Sequence, residues 1–319
     1  MEGVSRAVAP PGTEEPPGAS VSPGRPAGDA GREGALVPAV TRLNNVSFGY
    51  GDGLEVFRDL DLSFANGEIV SIVGPSGCGK STLLYLIADL VKPLRGTITR
   101  PGPTGDDRHP LAMVFQTDTL LRWLTVRENV ALYSRFSVHG APGASMLRRG
   151  LRRVPGVHLK PTHVDRRVTE LLDLVGMADS ADSYPYQLSG GMRRRVAFIA
   201  AVAAQPRVLL LDEPFSAVDE PTRIAIHQDI YRVIRMLKMT TILVTHDLAE
   251  AITLSDRILV FGPRPAGLVG EERVTLGSER DMLELRSSDN YLRIYSTLWS
   301  RLSKEIRRGG AAAAGTHRP

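Results

Sequence analysis

Gly74-Pro75-Ser76-Gly77-Cys78-Gly79-Lys80-Ser81 is the stretch whose reading decides the fold. It fits the pattern G-x-x-x-x-G-K-[ST] and lies between the β-branched run Glu68 to Val73 and the apolar helical stretch Ser81 to Val91. Strand, glycine-rich loop and helix in that order form the context in which the pattern cradles phosphate. The glycines let the chain curl so that successive N–H groups point at one anion, and the helix N-terminus adds its positive end. Lys80 is placed to reach β- and γ-phosphates, and the Ser81 hydroxyl to ligate Mg²⁺. A turn that merely started a helix would have no need of Lys80-Ser81-Thr82 at that point.

Downstream, Val208-Leu209-Leu210-Leu211-Asp212-Glu213 reads as a buried strand ending in two carboxylates. A central strand of this kind delivers Asp212 to a metal at its C-terminal edge. Glu213 points elsewhere, where it is suited to take a proton from an attacking water. About 110 residues beyond the phosphate loop, Leu188-Ser189-Gly190-Gly191-Met192 opens another helix. Ser189 can cap it, which is the plain explanation. Yet the uncapped N–H groups beside Gly190 and Gly191 make a second anion cradle, and one nucleotide needs only one. The second makes sense if it closes on the nucleotide of another subunit.

Outward from these motifs the chain alternates. Gly190 to Ala204, Pro221 to Leu237 and Leu248 to Leu254 have helical spacing, and Val208 to Leu211, Thr241 to Val244 and Arg257 to Phe261 read as the strands between them. Such alternation predicts an α/β fold with a mainly parallel sheet covered on both faces. Val46 to Phe48 and Val56 to Phe64, separated by a Gly/Asp turn, predict a small antiparallel β subdomain. Leu111 to Phe115 predicts a further strand, and Val126 to Tyr133 and Val164 to Val175 the helices of a subdomain around the Ser189 motif.

The expected organisation is a Pro/Gly-rich disordered tail over 1–40, a nucleotide-binding domain over 41–285, a C-terminal helix over 286–308 and a mobile tail over 309–319. Within the helical subdomain, 137–160 forms an insertion with five basic residues and no acidic one. The net charge of +4 invites a nucleic-acid or membrane-surface reading, but it is localised: Ser137 to Lys160 carries +5 and Arg301 to Pro319 carries +4, leaving the remainder at −5. The body is mildly acidic, so no nucleic-acid partner is expected. One cysteine excludes a disulfide framework, and the longest apolar run, Val196 to Ala204, is too short to span a bilayer.

With these motifs the sequence resembles the ATP-binding subunits of ABC transporters from about Leu43 to Ile306. The most specific element is Leu188 to Met192, which resembles the signature motif with Met192 where glutamine is usual. Gln116 is similar to the Q-loop glutamine, implying contact with the metal and with a membrane partner. Tyr50 resembles the aromatic that stacks on adenine, with Phe48 as its rival. Ser216-Ala217-Val218-Asp219 resembles the D-loop, and His246 the switch histidine at the γ-phosphate.

The resemblance implies ATP and Mg²⁺ as cofactors. Contacts to ATP are implied for Tyr50, Gly74, Pro75, Ser76, Gly77, Cys78, Gly79, Lys80, Ser81, Thr82, Gln116, Ser189, Gly190, Gly191, Asp219 and His246. It implies Glu213, His246 and Lys80 as catalytic residues and Ser81, Gln116 and Asp212 at the metal. Cys78 is expected to be a tolerated small residue whose alkylation blocks nucleotide. The implied partners are integral-membrane permease subunits, a second ATPase subunit packed head to tail (an identical one) and, indirectly, an extracytoplasmic solute-binding protein. The implied location is the cytoplasmic face of the membrane. Leu120 to Val130, Asp212 to Ala217 and the Arg264-Pro265 turn resemble the nitrate/sulfonate/taurine importer branch. The alternative is a soluble ABC ATPase acting on nucleic acid or ribosomes. Against it, only 71 residues separate Gln116 from Leu188, with no heptads, and the chain holds a single cassette.

Overall fold

The computed structural model describes residues 39–51, 53–102, 110–117, 119–137, 163–215 and 220–315. The tail over 1–38, most of the Arg-rich insertion and Ser216 to Asp219 lie outside the described residues. Strands β1 (Ala39–Tyr50), β2 (Leu54–Ala65) and β4 (Arg95–Thr99) form an antiparallel sheet in the order β2-β1-β4. The other sheet holds β3 (Ile69–Val73), β5 (Leu111–Val114), β6 (Val208–Asp212), β7 (Thr240–Val244), β8 (Arg257–Phe261) and β9 (Leu268–Arg273). Its order is β5-β6-β7-β3-β8-β9, parallel except for the edge strand β9. Helices α1 (Lys80–Ile87), α2 (Val126–Ser137), α3 (His163–Leu174), α4 (Gly190–Ala203), α5 (Glu220–Met236), α6 (Leu248–Leu254) and α7 (Asp289–Gly315) complete the described elements.

The strands β3, β6 and β7 are buried throughout, and their two-residue period splits them between separate cores. Leu209 and Leu211 face a core with Val130, Leu171, Phe198 and Ile230, which joins the sheet to α2, α3, α4 and α5. Leu210, with Val70 and Ile72, faces the opposite core, where α1 and the antiparallel sheet meet through Phe57, Phe64, Leu83 and Leu86. A third core packs Ile252 of α6 and Ile294 and Leu298 of α7 against Val73 and Val260. Burying apolar side chains at roughly 1.5–3 kcal/mol each is what holds these layers together.

Several boundaries differ from the sequence reading. The short strand at Val46 to Phe48 is a 12-residue strand, because its backbone pairs on both edges, with β2 and β4. Strands β4 and β9 were not anticipated: β4 is mostly exposed and β9 is a half-exposed edge, so neither carries the apolar run that signals a strand. Helix α7 starts at Asp289, after a 3₁₀ turn at Leu285–Ser287, and runs past 308 to Gly315. That overlaps the expected mobile tail, and Ala311 to Ala314 explain it, since alanine has the highest helix propensity.

Gly79 shows how tightly the phosphate loop is seated. Its φ is +112°, and a Cβ there would stand 2.4 Å from Val56 Cγ1 and 3.0 Å from the Phe57 ring. Gly79→Ala is expected to destabilise the chain by about 1–3 kcal/mol, through backbone strain and this clash. Gly190→Ala, where a Cβ meets nothing within 4 Å, should change stability by less than about 0.5 kcal/mol. Thermal melts of the two variants check the contrast.

Candidate functional site

The site lies along the C-terminal ends of four neighbouring strands, β5, β6, β7 and β3. Their register puts Asp212, Val244 and Ile72 on one level, with Val114 beside Leu211 one rung below. The residues that follow these positions emerge together: the phosphate loop after β3, Glu213 after β6, His246 after β7 and Gln116 after β5. A crevice outside the carboxyl ends of a parallel sheet is where ligands bind in such folds.

In the loop, Gly77 and Gly79 adopt positive φ (74° and 112°), and Gly79 caps α1 without a side-chain hydrogen bond. The first N–H groups of α1 therefore have no side-chain cap, the condition for an anion site. A Cβ at Gly74 would lie 2.9 Å from the Phe261 carbonyl, so the loop follows β8 closely. Lys80 is buried, and its Nζ donates to the Gly74 and Pro75 carbonyls at 3.0 Å each. The ammonium thus lies folded against the loop that a phosphate would enter. Ser76 is exposed, and Pro75 is linked through its carbonyl to the Cys78 N–H at 3.3 Å.

Cys78 packs inward. Its side chain is 2% exposed, inside the core shared by α1 and the antiparallel sheet, and burial pushes the thiol pKa up despite Lys80 and Arg264 nearby. A buried, protonated thiol is a poor nucleophile, so ready alkylation is not what this geometry supports.

Two carboxylate clusters follow. Ser81 Oγ donates to Asp212 Oδ1 at 2.8 Å, and the Tyr85 hydroxyl joins the same carboxylate. Tyr85 was missed in the sequence; its signal is the i+4 spacing from Ser81 on one helix face. Burial, the largest cause, raises the Asp212 pKa, and the charge of Glu213 adds to it, while Ser81, Lys80 and Tyr85 pull the other way. A hydroxyl and a carboxylate short of compensating charge form the hard oxygen donor set that suits Mg²⁺.

Glu213 turns away from this pair. Its φ of 42° is the left-handed region, a strain of about 1–3 kcal/mol for a non-glycine residue. Its N–H donates to the Val244 carbonyl at 2.9 Å, holding that conformation. Glu213 Oε2 lies 3.2 Å from His246 Nδ1 and accepts from Gln116 Nε2 at 3.3 Å. Gln116 therefore joins the Glu213–His246 cluster rather than the Ser81–Asp212 pair. Arg194, at the start of α4, donates to the Gln116 carbonyl, a link the sequence did not signal.

Tyr50 ends β1, 43% exposed, with its ring edge-on to Phe48 at 4.9 Å and its hydroxyl 3.1 Å from Thr82 Oγ1. Phe48 itself is buried in the core, which leaves Tyr50 as the aromatic available to a base. Ser189 caps α4, accepting from the Met192 N–H at 3.2 Å. Ser189 and Gly190 are exposed and Gly191 is buried. Gly190 has open space around its Cα, so nothing within the described residues requires a glycine there. Asp219 lies outside the described residues.

A phosphate cradle after a central strand, with a histidine after the next strand and a carboxylate pair at the end of the one beyond it, defines a nucleotide-binding phosphate-loop ATPase. The family model described as "ABC transporter" matches residues 57–216. The aliphatic sulfonates import ATP-binding protein SsuB 1 of Xanthomonas axonopodis pv. citri is 41% identical over 71% of this chain and 83% of its own length. The taurine import ATP-binding protein TauB of Roseobacter denitrificans is 34% identical over 85% of this chain and 98% of its own. The nitrate import ATP-binding protein NrtC of Synechococcus elongatus is 36% identical over 78% of this chain, which spans only 36% of that protein. Among solved structures, the dimeric post-hydrolysis state of the ATP-binding cassette MJ0796 bound to ADP and Pi superposes with a TM-score of 0.57 at 30% identity, covering 73% of this chain and 98% of that one.

The chain belongs to the ATP-binding subunits of ABC transporters, in the company of import proteins, and it is an ATPase. The soluble alternative finds no support among these relatives. Among the described residues no helix is long and apolar enough to cross a membrane.

The raised Asp212 pKa carries a testable sign. A carboxylate whose folded pKa lies above its unfolded value costs stability while ionised, and the cost is relieved as pH falls through the folded pKa. Asp212→Asn should therefore raise the melting temperature of the nucleotide-free chain at neutral pH, with the gain shrinking in acid. The same variant should need more Mg²⁺ to bind ATP, which a metal titration measures.

Proposed function

We propose that this chain powers the import of a small anionic solute of the nitrate, sulfonate or taurine type, from the cytoplasmic face of a membrane. Support comes from the import proteins to which it is similar over most of its length. In this reading the solute passes through separate permease subunits and is delivered to them by an extracytoplasmic binding protein. ATP-dependent uptake by vesicles carrying the reconstituted transporter, with nitrate, an alkanesulfonate and taurine compared, identifies the solute class.

The chemistry assigned to the site is in-line attack of water on the γ-phosphate. The observation carrying it is the convergence of Gln116 and His246 on Glu213 Oε2. Glu213 takes the proton of the attacking water, and His246 holds Glu213 and the γ-phosphate in line. Lys80 leaves the Gly74 and Pro75 carbonyls to lie on the β- and γ-oxygens, while the N–H groups of the loop and of α1 hold the rest. Ser81 and Asp212 are the residues that would hold Mg²⁺. When bound, Mg²⁺ supplies positive charge to the same oxygens. The chain thus acts by positioning and charge compensation, with Tyr50 stacking on adenine.

Two such chains close head to tail, each Ser189-Gly190-Gly191 facing the other's phosphate loop. The open space at Gly190 and the exposed Ser189 support a role outside the chain's own packing.

Glu213→Gln should retain ATP affinity and lose turnover by about 10²–10⁴-fold, the usual worth of a general base. Unchanged turnover would remove Glu213 from that role. Ser189→Tyr should abolish ATP-dependent dimerisation on a sizing column. A dimer that persists would refute the facing-signature arrangement.

A further inference from the structure

Behind the Glu213–His246 cluster lies a buried polar chain that the catalytic reading does not use. His227 of α5 and Glu250 of α6 are 1% and 3% exposed, with Nε2 and Oε1 3.5 Å apart, a close approach without hydrogen-bond geometry; neither atom has a hydrogen-bond partner among the described residues. The other carboxylate oxygen of Glu250 accepts from the Thr245 hydroxyl. With its proton committed to Glu250, Thr245 Oγ1 presents its lone pairs to the Asp247 N–H, which it accepts at 3.0 Å. Asp247 in turn caps α6, accepting from the Ala249 and Glu250 N–H groups at 2.8 and 3.2 Å, and takes Arg223 of α5 at 3.1 Å.

These bonds close on both sides of His246. Thr245 and Asp247 are its immediate neighbours, so the peptide carrying the histidine is pinned front and back. His227 also reaches the other half of the cluster: its ring lies edge-on to Phe215, 5.1 Å away and two residues beyond Glu213. A carboxylate this deeply buried is costly without a compensating proton or charge, and His227 is the partner at 3.5 Å. Such a pair is a poor device for stability alone, because apolar residues of the same volume fill a core at least as well. Its use is directional.

We infer that His227 and Glu250 are positioning residues for ATP hydrolysis, acting through Thr245 to hold the His246 backbone against Glu213. The inference rests on the switch role proposed for His246. Residues that orient a catalytic group lower turnover when removed but leave ground-state binding alone.

The test uses the purified full chain, with ATPase turnover at saturating ATP and the Kd of a fluorescent ATP analogue measured in parallel. Thr245→Val is nearly isosteric and removes only the hydroxyl link. It should lower turnover by about 10–100-fold, the range for residues that orient a reacting group, with Kd unchanged. His227→Leu should do the same, and the double variant should lose no more than either single one, since the residues act as a unit. Glu250→Gln, whose amide can accept from Thr245 and donate to His227, should keep most of the activity. If His227→Leu does not fold, His227→Gln and Thr245→Val carry the test.

His246→Ala separates the two levels of the argument. If it leaves turnover intact, the switch reading fails and the inference with it. If it abolishes turnover while folded Thr245→Val and His227→Leu stay within about threefold of the parent, only the positioning role is overturned. A Kd that rises in step with the loss of turnover overturns it as well.

Discussion

Ser81 and Asp212, 131 residues apart, are joined by a 2.8 Å hydrogen bond across the end of the parallel sheet, and the rest of the site depends on that closure. It fixes the first turn of α1 against the tip of β6, so the phosphate loop and the carboxylate strand share one frame. The frame itself is the strand register. Ile72, Val244 and Asp212 occupy one level, so the loops leaving those strands emerge side by side. A one-residue slip in any of them would turn its side chains to the opposite face and disperse the cluster.

Burial makes an ionised Asp212 costly within this frame. Asp212 is buried with a raised pKa, Lys80 is folded onto loop carbonyls, and Glu213 sits in a left-handed backbone conformation. In the proposed reading, the Mg²⁺ that Ser81 and Asp212 would hold compensates the Asp212 carboxylate, and phosphate oxygens take the place of the loop carbonyls at Lys80. The buried His227–Glu250 pair is a different kind of constraint, set behind the site where it keeps two loops in place.

Much of this was legible before any coordinates. The glycine pattern before Lys80, the apolar run ending in Asp212-Glu213 and the Ser189-Gly190-Gly191 helix start each carry a local signal, because backbone curvature, full burial and capping act through residue type at fixed spacing. Tyr50 was the expected base-stacking aromatic and Phe48 its rival, since both lie on one alternating strand. Their burial separated them: Phe48 is in the core and Tyr50 at the hairpin end. Strands β4 and β9 left no such trace: β4 is held by backbone pairing to the distant β1 and β9 by pairing to β8 just before it, and neither carries an apolar run. Cys78 stands in the loop motif, where it was read as a tolerated small residue. Its side chain nonetheless turns into the core beneath α1.

By itself, then, the sequence determined the class of the fold, the phosphate-binding chemistry and the identity of nearly all the groups expected to act. Those properties follow from local patterns that few arrangements can satisfy. Only the tertiary structure decided how the groups are partitioned, with Ser81, Tyr85 and Asp212 in one cluster and Gln116, Glu213 and His246 in another. It also brought His227 to Glu250 and both to the back of His246. The physical reason is that these contacts cross between strands and helices far apart in the chain. They are set by sheet order and register, which the packing of the whole domain selects and no single segment encodes.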